Sequence, residues 1–291
     1  MIVADPNEVK EPNTVRVCVA IPSMGYCHVE AYCNRLVNFM HLGKLEEGAK
    51  VARGMAELIA NRDPKLAQEI LAEWVKMHPI QSSREIHGKR FEFRFAVIGR
   101  IFTPVAREEA AKMCVEWDCD YLYMIDDDML CPDDMFERLY AHNVDIVAPL
   151  AFTRNYPHKP VIYAAIEGYD HVNKKDYFMN TSVMNYPKDK LVECDAVGFG
   201  AALIKRWVLD KMDTPRFMST CGTGEDILFC YKAKKVGARV FMDTATKLGH
   251  LSRPLNIDEE YVERIRKEDP LWDKKSANGY KKYQPTCVIG G

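Results

Sequence analysis

Four short apolar runs, separated by segments of helical periodicity, constrain this chain more than any other feature. They are "VRVCVAIPSMG" (15–25), "RFEFRFAVIGR" (90–100), "YLYMI" (121–125) and "DIVAPLAF" (145–152). Each is rich in β-branched or aromatic residues and too short for a helix. Three are nearly continuous apolar runs, which fits strands covered on both faces, while 90–100 alternates before turning fully apolar. Between them stand helix signals. "TPVAREEAAKMCVEW" (103–117) offers Thr103 as a cap and Pro104 at the first helical position. "PDDMFERLYAH" opens with a proline and two acids, as helix N-termini do. Strands alternating with helices predict an α/β fold, with a mixed, mostly parallel sheet flanked by helices.

The remainder is less regular. Residues 1–14 form a polar leader, unlike a signal peptide. Residues 29–77 carry helical spacing broken at Asp63-Pro64, which reads as a helical insertion over about 29–78. "PVIYAAI" (160–166) and "MNYPKDKLVECDAVGFGAALI" (184–204) predict antiparallel or edge strands. Helices follow over 205–212 and in "GEDILFCYKAKKVG", ended by Gly237, before a strand at 238–243. The last segment, 256–291, holds a charged helix and a basic, aromatic tail. No linker divides 15–255, which reads as one domain. The formal net charge of -2 gives no global field for nucleic acid or membrane. The 10 cysteines are scattered without a C-x-x-C pair, so they read as small hydrophobes rather than a zinc ribbon or disulfide frame. No apolar stretch approaches the ~20 residues of a membrane span. The expected location is the cytoplasm.

Strand 121–125 runs straight into Asp126, Asp127 and Asp128. Ligands of parallel α/β sheets bind beyond the carboxyl ends of the strands. Adjacent carboxylates repel one another, and a divalent cation relieves that. If the strand alternation continues, Asp126 and Asp128 share a side and Asp127 faces away. The competing reading is an ordinary acidic turn. Further along, "TCGTGEDILF" puts Glu225 and Asp226 at a helix mouth. Thr223-x-x-Asp226 could be a plain capping box, or one acid could take a proton from an acceptor hydroxyl. "KLGHLSRP" places His250 just beyond a strand; taken singly, it reads equally as a structural histidine.

The order of these features over residues 15–255 resembles the GT-A glycosyltransferases, particularly family-2-like enzymes that use nucleotide-sugar donors. The sequence of elements is a strand ending in Pro-Ser, a helix with an arginine, strand-D-x-D, a Gly-rich strand, Gly-Glu-Asp and a late histidine. The resemblance implies a Rossmann-like GT-A fold and donor contacts from Ile21, Pro22, Ser23, Arg107, Asp126, Asp127, Gly198, Phe199 and Gly200. It implies Asp128, Asp126 and His250 as ligands of Mn²⁺ or Mg²⁺, with Asp226 as catalytic base and Glu225 as the alternative. The mixed N/O donor set suits Mn²⁺ somewhat better. A base attacking opposite the leaving nucleoside diphosphate implies inversion. The helical segment 29–77 exceeds the family's usual first crossover.

Three other readings stand beside this one. A nucleotidyltransferase would share the sheet, acids and cation, but "IPSMGYCHVE" lacks the basic Gly-rich loop that holds a triphosphate. A non-catalytic module could use the acids for a structural cation. A phage-type enzyme acting on modified DNA bases is a further possibility for the acceptor, which could equally be a saccharide, small molecule or protein. Trp272, Tyr280 and Tyr283 interleave with Lys274, Lys275, Lys281 and Lys282 in the tail, consistent with a solvated terminus, a flap or a polyanion patch. Oligomeric state is not legible.

Overall fold

Apolar runs with no polar face belong in the interior of a sheet, and that is where they lie. The structure, a computed structural model, describes residues 13–23, 81–86, 88–99, 102–170, 174–220, 223–252, 255–269 and 288–289. The helical insertion and most of the leader and tail lie outside the described residues.

The chain begins with β1 (Thr14–Ser23), β2 (Gln81–Ile86), β3 (Lys89–Gly99), α1 (Thr103–Glu116) and β4 (Tyr121–Ile125). Next come β5 (Met129–Leu130), α2 (Met135–Ala141), β6 (Ile146–Leu150), β7 (Ile162–Asp170) and β8 (Lys175–Ser182). The second half adds β9 (Leu191–Cys194), β10 (Ala196–Val197), β11 (Ala201–Lys205), α3 (Arg206–Lys211) and α4 (Glu225–Lys235). Last are β12 (Val240–Lys247), β13 (Gly249–Ser252), β14 (Leu255–Ile257), α5 (Glu259–Glu268) and β15 (Val288–Ile289).

The main sheet has the order β15-β9-β12-β6-β11-β4-β1-β3-β2. β1, β3, β4, β6, β12 and β15 point one way, while β2, β9 and β11 run against them. The expected mixed, mostly parallel α/β class is therefore observed, and it is consistent with a Rossmann-like GT-A fold. One surprise is β11, which is antiparallel yet sits centrally between β4 and β6. Its four leading residues are all buried, as a central strand requires.

Strand alternation sends successive residues to two separate cores. Cys18, Ala20, Leu122 and Met124 join α1, α3 and α4 on one face. Val17, Val19, Tyr123 and Ile125 join α2 on the other. There Phe136 of α2 packs edge-on against Phe91 and Phe93 at 5.7 and 5.1 Å. Truncating such a buried ring costs about 3–5 kcal/mol. Cys18, Cys114, Cys119, Cys131, Cys194 and Cys230 are free and buried, so they pack as the hydrophobes expected.

Two helix starts differ from expectation by small but informative shifts. α1 is capped from Phe102 without a side-chain bond, so Thr103 is already helical rather than the cap. The N-cap of α4 is Gly224, also without a side-chain bond, so the capping box from Thr223 does not form. Gly237 does end α4, at φ +93, a left-handed value that favours glycine.

Two small sheets grip the edge that matters for function. β10-β7-β8 packs against β12, β9 and α4, and β14-β13-β5 follows the triple aspartate.

Candidate functional site

The carboxyl ends of β1, β3, β4, β6 and β12 meet at one sheet edge. Ser23 is in register with Gly99, Ala20 with Met124, Ala201 with Ile125, and Lys247 with Leu150. Ile21 and Pro22 are buried near the end of β1. Gly198, Phe199 and Gly200 lead into β11 at the same edge, and the carbonyl of Gly200 accepts from the Asp126 amide at 2.8 Å. A Cβ on Gly198 would come 2.8 Å from Cβ of Val161, so only glycine lets these backbones approach.

Past Asp126 the strand does not continue. Asp127 and Asp128 form a turn, and β5 resumes at Met129. The alternation assumed for Asp126 and Asp128 is therefore corrected. A row of carboxylates cannot extend a buried strand, and the turn sends the first and third to different partners.

Asp126 belongs to a knot centred on Arg107 of α1, which is only 3% exposed. Its Nη2 donates to Asp126 Oδ1 and Oδ2 at 2.9 and 2.8 Å and to the Phe199 carbonyl at 3.0 Å. Its Nη1 lies 2.8 Å from Glu225 Oε1. One guanidinium thus ties together the end of β4, the glycine-rich loop and the mouth of α4. Burial works against its charge, but Asp126, Glu225 and Asp226 outweigh that and raise its pKa. Arg107, expected near a nucleotide, faces inward onto these protein partners, and its Nε makes no hydrogen bond.

Asp226 stands beside this knot. Its Oδ1 accepts from the Ile227 amide at 2.8 Å and lies so near Gly224 that a Cβ there would approach within 2.8 Å. Burial raises its pKa; Arg107 and the amides of Ile227 and Phe199 oppose the rise, and Glu225 adds to it. Asp126 is raised similarly, by burial first and against Arg107. Because Glu225 is engaged by Arg107, Asp226 is the carboxylate better suited to exchange a proton.

Asp128 forms a second corner. β13 pairs with β5, so His250 stands opposite Met129, and the Leu251 amide donates to the Asp128 carbonyl at 2.9 Å. That register brings His250 Nε2 to 3.4 Å from Asp128 Oδ2. His250 Nδ1 is 2.7 Å from the Phe152 carbonyl, which can only accept, so Nδ1 carries the proton. Nε2 is then a bare lone pair. Burial lowers the histidine's pKa, the Phe152 carbonyl opposes this, and Arg154 lowers it further.

Two acceptor groups at 3.4 Å with no proton between them require a shared positive partner. Arg154 supplies one: its Nε donates to His250 Nε2 at 2.7 Å and its Nη2 contacts Asp128 Oδ2. Asp128 Oδ1 is buried without a hydrogen-bond partner. An orphaned carboxylate oxygen and an imidazole lone pair met only by the half-exposed Arg154 form a donor set that fits Mn²⁺ or Mg²⁺, with further positions left for substrate oxygens and water. Among the described residues no three His, Cys, Asp or Glu side chains converge as a metal cluster. Asp126, expected as a further ligand, has both carboxylate oxygens bonded to Arg107.

Sequence reasoning missed Arg154 and the Phe152 carbonyl. The signal available was their position, in the loop "FTRNYPHKP" just past a strand at the ligand-binding edge. Asp127 is buried in the turn, and the side chain of Ser23 lies outside the described set. No described helix is long and apolar enough to cross a membrane.

No protein family matches the sequence, and no curated protein does either. Among solved structures the chain is similar to A197 from STIV, at 18% identity and a TM-score of 0.51, covering 85% of this chain and 92% of that one. This likeness concerns fold alone. It is also similar to GalNAc-T7 crystallised with UDP, GalNAc and Mn2+, at 13% identity and a TM-score of 0.42, covering 83% of this chain and 45% of that one. An apo UDP-glucose pyrophosphorylase aligns at 9% identity and 0.41, covering 88% and 100%. Scores of that size do not bear on chemistry.

Proposed function

We propose that the protein is a metal-dependent glycosyltransferase that moves a sugar from a nucleoside-diphosphate donor to an acceptor hydroxyl with inversion. The observation that carries this reading is the pairing of two unlike groups at one sheet edge. One is the Asp226 carboxylate in the first turn of α4, and the other is the Asp128–His250 corner with its orphaned oxygen.

Asp128 and His250 would hold the divalent cation, whose charge would neutralise the departing diphosphate. Carboxylates outnumber guanidiniums at this edge, so a diphosphate would otherwise be repelled. Asp226 takes the acceptor's hydroxyl proton as the acceptor oxygen bonds to the anomeric carbon and the bond to diphosphate breaks. The carboxylate's raised pKa makes it a stronger base than an exposed one, and such assistance is worth ~10²–10⁴-fold. Arg107 orients the Asp126 and Glu225 carboxylates and the Phe199 carbonyl; the residues at 198–200 and at the end of β1 would line the donor. A cytoplasmic setting and an acceptor that is a saccharide, small molecule, protein or modified DNA base belong to the same proposal.

The test is a panel of nucleotide-sugars incubated with Mn²⁺ and the full chain, read by thermal shift and by product analysis. The expected result is one donor that stabilises only with metal and slowly yields free nucleoside diphosphate. Conversion of the donor to nucleoside triphosphate and sugar-1-phosphate when pyrophosphate is added would assign the site to nucleotidyl transfer. No stabilisation by any donor would end the proposal.

A further inference from the structure

The loop after β6 holds both nitrogens of one histidine. Phe152 fixes Nδ1 through its carbonyl, and two residues later Arg154 donates to Nε2. The loop is closed on itself: Lys159 donates to the Thr153 hydroxyl at 3.0 Å and Thr153 to the Lys159 carbonyl at 2.9 Å. His158 Nδ1 bonds the Thr153 carbonyl at 3.0 Å, and its ring packs edge-on to Tyr261 of α5 at 5.5 Å. The backbone beneath Arg154 is therefore anchored, while its side chain is 53% exposed. The contrast with the buried Arg107 is direct. A half-exposed arginine can leave without opening the core.

We propose that Arg154 is a built-in substitute for the cation, occupying the space between Asp128 and His250 until a divalent metal displaces its guanidinium. This rests on the metal-dependent reading above. The guanidinium meets both groups a metal would need, the Asp128 Oδ2 carboxylate oxygen and the His250 Nε2 lone pair. A metal ion and this guanidinium cannot share them, for reasons of space and of like charge. In the absence of metal the arginine neutralises a buried carboxylate that would otherwise stand alone, so the corner keeps its shape. The consequence is competition: the protein's own side chain sets a threshold of metal concentration below which the site stays closed. The Phe152 carbonyl remains on Nδ1 in both states, so the imidazole presents the same nitrogen to either cation.

The test is direct Mn²⁺ binding to the full chain without nucleotide, following the free Mn²⁺ signal by electron paramagnetic resonance. Arg154→Gln is expected to bind Mn²⁺ at least about tenfold more tightly than the natural protein, because a competing charge has gone. Arg154→Lys keeps the charge but not the forked donor, and is expected to fall between. It also carries the test should the glutamine variant not fold. Asp128→Asn should abolish binding in every background. Equal or weaker Mn²⁺ binding by Arg154→Gln and Arg154→Lys overturns the substitution while leaving the metal site standing. No Mn²⁺ binding by any protein overturns the metal reading together with this one.

Discussion

Two guanidiniums hold carboxylates at the same sheet edge, and they do it differently. Arg107 is buried, with its two terminal nitrogens engaged by Asp126, Glu225 and the Phe199 carbonyl. Arg154 reaches in from a loop, half exposed, and touches two groups that could serve another cation. A buried arginine whose partners come from three separate elements is part of the architecture. The exposed one meets His250 Nε2 and Asp128 Oδ2, beside a second carboxylate oxygen that has no hydrogen-bond partner. Charge pairs of similar composition thus differ in burial, with the two arginine side chains 4% and 53% exposed.

The largest test of that division is Arg107→Met. It leaves Asp126 and Glu225 half-buried without their cation, and the expected loss is about 3–5 kcal/mol of folding stability, measured by chemical denaturation. A loss under about 1 kcal/mol would break the contrast, because Arg107 would then be no more structural than a surface arginine. Next in size is Asp226→Asn. On the proposed mechanism turnover falls ~10²–10⁴-fold while donor binding survives. Stability should not fall, because a carboxylate with a raised pKa is a group that folding does not favour in its charged form. A turnover change under threefold would remove Asp226 from the chemistry.

Smaller still is His250→Gln, expected to leave the fold intact while abolishing the metal-dependent rise in melting temperature. Linkage makes that rise worth about 2.7 kcal/mol at a metal concentration 100 times Kd. Persistence of the full rise would place the cation elsewhere. The smallest effect is in pH. Asp126 and Asp226 both have folded pKa values above the ordinary carboxylate value, so the folded state binds protons more readily than the unfolded one. Their contribution favours folding below the unfolded value and is lost as pH rises through the folded one. Turnover runs the other way, falling as pH drops through the raised pKa of Asp226. An acid limb in the ordinary range of exposed carboxylates would argue against Asp226 as base.

Much of the frame was legible because strands buried on both faces announce themselves as continuous apolar runs. β4 coincides with the run read from sequence, and β1 and β6 differ from theirs by one or two residues at each end. The central place of β11 was not legible, since alternation in a sequence says nothing of which neighbours a strand will find. The triple aspartate marked the right edge, but its geometry was misjudged because a turn, not a strand, follows Asp126. Glu225 and Asp226 were found as a helix mouth. Their division of labour depends on which one Arg107 reaches, a contact between α1 and α4 that no local pattern encodes. Arg154 escaped notice because loops carry no periodicity, and its meaning lies wholly in what β13 places opposite it.

The pairing of β13 with β5 has a consequence for how the protein matures. Asp128 and His250 come from far-apart points in the chain, with β6, β11 and β12 between them in sequence, and the pairing of β13 with β5 brings them together. A cation therefore has nothing to seize in a half-made chain and cannot guide its assembly, unlike the metals that nucleate small zinc modules. Uptake of the ion would report a finished molecule, and a chelator should silence the protein without unravelling it.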